Sequence, residues 1–343
     1  MKTIVHLRRL QLFPFLGAVL LVAGLSGCMP EDDPYPAPEP PEEQYLQVAM
    51  GEDYNYQVFA ELTTGQQHQI AAASWDLLVA FPEGELPVIV LNGGILAKAA
   101  PLTAENAGLP PQELNYTNDH PHLVRDSLVI QPTVAREWMI DREVIFYKDS
   151  PNRYRRLRIV HFSADSLELE MAPTDGSAKT TVVLTADEVN ARPSRMALLH
   201  LDEGDRQDLL PGFRWQLLFT RYHHIFEEEP ADSPFRVYSV TGALQPAWLG
   251  GTGAEVISTD STQTTPYDSL SVDDSPNVTW LPEADVIGYA WKDFDFDLGY
   301  IVMEDRYYVL READGATYKL RFVSFENDEG TKGHPAFFFQ RLQ

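Results

Sequence analysis

TYKLRFVSFE, residues 317–326, is dense in aromatic and aliphatic side chains, as strands are. YRRLRIVHFS, residues 154–163, reads the same way. A shift of 163 positions lays Leu157, Arg158, Val160 and Phe162 onto Leu320, Arg321, Val323 and Phe325. Two more landmarks recur in the same order. Phe59-x-x-Leu62-x-x-Gly65 precedes Trp75-x-Leu77-Leu78, and Leu198-x-x-Leu201-x-x-Gly204 precedes Trp215-x-Leu217-Leu218, with Gly-to-Trp spacings of ten and eleven. VIVLNG (88–93) then answers VYSVTG (237–242). Unrelated strands do not keep their order over so long a stretch. The pattern reads as one β module written twice, over 45–180 and 190–343.

The remaining signals agree with a mainly β fold of two related antiparallel modules. Strands are expected at 88–91, 143–147, 156–162, 236–240, 307–310, 319–325 and 336–339, separated by turn-forming clusters. Asp314-Gly315 between two of them predicts a two-residue hairpin turn. Helical periodicity is nearly absent, with a turn or two expected at Ala186–Ala191.

The first 27 residues read as a secretory signal: Lys2, Arg8 and Arg9, an apolar run from Leu12 to Val22, then Leu25-Ser26-Gly27 ahead of Cys28. That ending resembles the lipobox of bacterial lipoproteins, in which the cysteine is acylated and becomes the mature N-terminus. Cys28 is the only cysteine, so an internal disulfide is excluded. Residues 28–44 are rich in proline and acid and read as an extended, self-repelling tether. The formal charge is −25, and −28 once Lys2, Arg8 and Arg9 are removed, since the signal carries no acid. Such a surface repels nucleic acid and anionic lipid, leaving the acyl chains as the means of membrane attachment.

The chain resembles the HmuY family of haem-binding bacterial lipoproteins. The resemblance is carried by Ser74-Trp75-Asp76-Leu77, Leu91-Asn92-Gly93-Gly94, Ile287-Gly288-Tyr289-Ala290-Trp291-Lys292, the stretch Tyr308 to Phe322, and Gly330 to Phe337. It implies a mostly-β lipoprotein on the outer membrane, exposed at the cell surface, which captures haem and passes it to an uptake receptor. In the best-known members two axial side chains from loops hold the iron, histidines in one and methionines in some relatives. Here Asp293-Phe294-Asp295-Phe296-Asp297 stands where the second ligand would follow, and Arg136 to Met139 also lacks a histidine. No ligand is carried over by position.

Haem iron accepts His, Met, Cys or Tyr, which makes several residues candidates. His120 and His122, in a Pro- and Asn-rich loop, would point the same way on an extended segment. Such a pair could also chelate a simple metal ion. His223 and His224 would face opposite sides of a strand, so one of them at most could reach an iron. Met139 and Met303 follow aromatic runs and are soft enough for haem, although methionine more commonly fills core. His161 is expected on an inward strand face with Leu157 and Ile159, and His334 in a turn.

The Asp293–Asp297 run has calcium-loop spacing with Glu304, but Leu298 fills the position that needs glycine, so a half-buried strand is expected. No nucleophile elbow, phosphate loop or zinc motif points to catalysis. The expected function is haem binding in iron acquisition. The alternative is a surface adhesion or scaffold lipoprotein of the same fold that has lost the ligands.

Overall fold

The computed structural model describes residues 42–142, 144–230, 233, 236–257, 266–273 and 278–342. The expected signal, Cys28 and the tether up to Pro41 lie outside that set. Strand β1 (Gln44–Gln47) is followed by β2 (Tyr56–Ala60), β3 (Gln67–Ala71), β4 (Leu77–Ala80), β5 (Val88–Leu91) and β6 (Lys98–Pro101). A long loop leads to β7 (Glu137–Asp141), β8 (Tyr154–Phe162), β9 (Ser166–Ala172) and β10 (Thr180–Thr185). Then come β11 (Ala197–His200), β12 (Gly204–Asp205), β13 (Leu217–Ile225), β14 (Val237–Leu244) and β15 (Thr252–Ile257). The last five are β16 (Lys292–Asp295), β17 (Gly299–Val302), β18 (Arg306–Arg311), β19 (Thr317–Glu326) and β20 (Lys332–Arg341).

Four of the sheets form two pairs by size. The five-stranded ones run β10-β9-β8-β7-β6 and β1-β20-β19-β18-β15, and the four-stranded ones β12-β11-β4-β5 and β3-β2-β13-β14. In the second pair each sheet takes two strands from either half of the chain, and β1 crosses over to complete the C-terminal sheet. The halves therefore share sheets rather than standing as separate domains. Their pairings are antiparallel.

The two opening stretches coincide in detail. Leu157 sits between Trp138 and Met171, and Leu320 between Tyr308 and Phe339. The register then slips at matching places, between Ile159 and His161 on β8 and between Phe322 and Ser324 on β19. The residues passed over, Val160 and Val323, are 44% and 43% exposed. A bulge inserts one residue and reverses the alternation beyond it. This is why His161 is exposed, against expectation, with its ring on Ser163 Oγ.

Register also corrects one correspondence. Leu78 pairs with Val90 and Leu218 with Leu244, so Val88–Leu91 answers Gly242–Gln245 and not Val237–Gly242. The β13–β14 hairpin is the longer one, and its extra outer rungs carry His223 and His224.

The tryptophan motifs are structural. Asp76 Oδ2 accepts the Leu201 N–H at 2.7 Å, and Gln216 Oε1 accepts the Leu62 N–H at 2.7 Å, so each half pins a turn of the other. Asn92 Nδ2 donates to the carbonyls of Ala72 and Trp75, while its Oδ1 accepts from Gly94 N and Gln57 Nε2. Gln57 Oε1 in turn accepts the Trp75 indole N–H. A β-carbon on Gly94 would lie 2.5 Å from Gln57 Nε2, so glycine is required there.

Three local expectations change. Val144–Tyr147 is a helical turn, not a strand. Tertiary contacts override β propensity there: Phe146 and Tyr147 pack on the core and Tyr147 Oη donates to Ala73 O. Between β18 and β19 a turn spans Glu312 to Gly315, with only Gly315 at positive φ, so the loop is longer than two residues. His334 lies within β20, with Nδ1 against the carbonyls of Thr331 and Lys332. The short helix Ala186–Ala191 forms as expected, capped by Thr185.

One buried ion pair locks the first half to the shared sheet. Arg142 Nη2 donates to Asp76 Oδ2 at 2.6 Å with both side chains buried, and Nη1 donates to Asp202. Arg142→Ala strands the Asp76 carboxylate and is expected to cost about 3–5 kcal/mol in urea unfolding. Arg158→Ala, whose ion pair is solvent-exposed, should cost no more than about 1 kcal/mol in the same assay.

Candidate functional site

The loop between β6 and β7 is tied down by one carboxylate. Asp119 is buried, its Oδ2 accepting from Leu91 N and its Oδ1 from Val129 N, both at 2.7 Å. Burial pushes its carboxyl up to about 6 against the pull of these two donors. Next to it the chain turns, with Leu123 N–H donating to His120 O. His120 and His122 do face one way, but through this turn and not by extension. Their rings stack at 4.3 Å with an interplanar angle of 23°.

The outer end of β13 brings His224 to the same place. Its ring meets Phe226 and Tyr289 edge-on, each at 4.8 Å. Burial lowers the pKa of His224, partly offset by Asp285 and Glu228, and the nearby His120 and His122 lower it further. Burial likewise lowers that of His120, with His122 adding to the effect. The His120–His122 pair and His224, a hundred residues apart in sequence, thus gather at one site.

Carboxylates stand behind the imidazoles. His122 Nδ1 is 3.8 Å from Asp285 Oδ1, and His120 Nε2 is 3.8 Å from Glu227 Oε1. The backbone joins the two loops as well, because Ala284 N donates to His122 O at 2.7 Å. Burial raises the pKa of Asp285, against the attraction of His122, His224 and His120. Lowered pKa values favour the neutral imidazole at His120 and His224. His120 Nδ1 accepts from His122 N at 3.3 Å, whereas His224 Nδ1 has no partner among the described residues.

An open groove of about 410 Å³ runs beside His120, walled mainly by Pro101, Val129, Val134, Trp138 and Ile225. That falls within the roughly 300–1,000 Å³ typical of small-molecule sites. Two buried nitrogens here, Trp138 Nε1 and His224 Nδ1, make no hydrogen bond among the described residues. His223 instead lines an interior cavity of about 40 Å³ with Asp119, Tyr222 and Trp248, far too small for a porphyrin. Met139 faces away from Trp138 and packs on Ala100 and Leu114 as core. Met303 lies at the base of the β16–β17 hairpin, its N–H on Trp291 O. Among the described residues no group of three or more His, Cys, Asp or Glu is arranged to hold a simple metal ion.

Sequence reasoning did not find Asp119, Asp285 or Tyr289. Each acts through a partner distant in sequence, and no local spacing marks it.

The fold is mainly β, and an imidazole cluster stands at the edge of an open groove. The chain belongs to the HmuY family: the family model described as HmuY protein matches residues 53–339. Among solved structures, it is similar to apo PinO from Porphyromonas gingivitis at 9% identity, covering 88% of this chain and 98% of that one, with a TM-score of 0.29. It is also similar to the apo HmuY analogue TFO of Tannerella forsythia at 11% identity, covering 89% and 99%, with a TM-score of 0.24. An HmuY-like protein of Bacteroides vulgatus, assigned as haem-binding, gives 10% identity, 47% and 79% coverage and a TM-score of 0.22. These overlaps are too loose to match individual residues. No curated protein matches the chain.

The raised Asp119 pKa has a consequence for stability. The unfolded carboxyl titrates near 3.8 and the folded one near 6, so the folded state holds the extra proton between those values. The corresponding stability is fully present below about pH 4 and lost as pH rises through 6, amounting to about 3 kcal/mol. Asp119→Asn should remove this component from the pH dependence of urea unfolding, while loosening the loop that carries His120 and His122.

Proposed function

We propose that this chain is a lipid-anchored haem-binding protein of the outer-membrane surface, serving iron acquisition. The observation that carries the proposal is the meeting of His120, His122 and His224, with His120 on the wall of an open groove of about 410 Å³. Family membership supports it independently.

Haem would lie in the groove against Trp138, Val129 and Val134, with a neutral imidazole of the cluster on the iron. His120 is on the groove wall but would have to release the His122 N–H from Nδ1 or turn Nε2 from Glu227 to reach an iron; His122 and His224 stand beside it. Asp285 and Glu227 would orient the rings, the role that outer carboxylates commonly take at metal-bound histidine. Cys28 would carry the acyl chains, the tether would hold the β unit off the bilayer, and an outer-membrane haem receptor would be the onward partner.

Titration of the soluble chain lacking residues 1–28 with ferric and ferrous haem should shift the Soret band. His120→Ala with His122→Ala, or His224→Ala, should weaken binding at least about tenfold, whereas His161→Ala should have no effect. An unshifted spectrum in both redox states would discard haem as the ligand. Because burial holds His120 and His224 below the ordinary imidazole range, the shifted band should persist below pH 6.5 and disappear only on further acidification.

The second reading, a surface adhesion or scaffold protein, draws on a different part of the molecule: the Asp-Phe run is an exposed hairpin and not the half-buried strand expected of it.

A further inference from the structure

Strands β16 and β17 form a two-stranded sheet of their own, paired with no other strand among the described residues. Its root is firmly seated. Trp291 stacks on Phe322 at 4.0 Å and Tyr300 meets Phe325 at 4.5 Å. The Lys292 Nζ is buried and donates to Thr241 O at 2.6 Å. Its tip is the reverse. Phe296 is 96% exposed, Leu298 77% and Phe294 50%. The bend between them is held by Asp295 Oδ1, which accepts from Asp297 N and Leu298 N. Phe294 braces both Phe296 and Tyr300 edge-on, at 5.6 and 5.1 Å.

A fixed root with a displayed apolar tip is the form of an anchor, since little ordering is left to do on binding. Exposed apolar side chains rimmed by polar ones mark contact sites, and an aromatic residue in a partner's pocket is a common source of binding energy. The rim here is acidic. Asp293, Asp295 and Asp297 alternate with the apolar residues, and all three are exposed.

We propose that the β16–β17 hairpin is a docking knob for a second protein, one that presents an apolar pocket rimmed by lysine and arginine. Three carboxylates around two large apolar side chains fit that surface. They do not fit an anionic bilayer, which would repel the rim as the tip entered. Nor do they fit a second copy of this chain, whose formal charge is −25. The proposal does not depend on haem, because the hairpin and the imidazole cluster are built from different residues.

The test places a photo-crosslinking phenylalanine analogue at position 296 of the full chain in its own bacterium. The expected product is an adduct with one other protein, which is then purified and titrated with the full chain. Phe296→Asp with Leu298→Asp should weaken that binding at least about tenfold. Asp297→Lys should do the same, and so should raising salt from about 50 to 500 mM, which shortens the screening length. None of these variants should alter the thermal midpoint or the haem titration, because the altered side chains lie in solvent. The milder Phe296→Ala provides the same reading should the double variant misfold. Adducts with lipid alone, adducts with a second copy, no adduct at 296, or affinity indifferent to Asp297→Lys and to salt would each overturn the proposal.

Discussion

The structure depends on an exchange of hydrogen-bonding obligations between the two halves. An N–H at Leu201 is satisfied by Asp76, and one at Leu62 by Gln216. Strands follow the same rule, with β4 beside β11 and β2 beside β13. Buried backbone donors must find acceptors, so neither half can complete its inner sheet without the other. Trp75 and Trp215, which lead into β4 and β13, pack in one buried cluster.

Much of this was legible from sequence. Positions 157–162 and 320–325 were read as strand, and both lie on strands that slip register at the corresponding place. What stayed hidden was registration between non-adjacent strands. The pairing of Val88–Leu91 could not be matched to Gly242–Gln245 by residue type, since Gly242 looks nothing like Val88. Glycine is dictated there by the approach of another backbone: a β-carbon would lie 2.1 Å from Gly288 O. His161 was misplaced for a related reason, because a bulge leaves no local mark on the alternation before it.

The candidate site was legible only in its pieces. The His120-Pro121-His122 turn and the His223-His224 pair were visible, but their convergence was not. It requires the long β13–β14 hairpin and the two long loops after β6 and β15 to reach one another. Of each visible pair the fold gives different use: His120 and His122 stack, while His223 turns to an inner cavity and His224 to the cluster. The lowered pKa values of His120 and His224 follow chiefly from their burial, something no residue spacing encodes.

At Gly288 one carbonyl serves two neighbours, accepting from Ala243 N at 3.0 Å and from the Trp291 indole at 3.1 Å. Ala243 belongs to the ribbon that ends at the histidines, and Trp291 to the pedestal under the Phe-Leu tip. With no side chain between the strands to absorb slack, this peptide acts as a rivet through two plates. Moving either element would therefore strain or break a hydrogen bond to this one carbonyl.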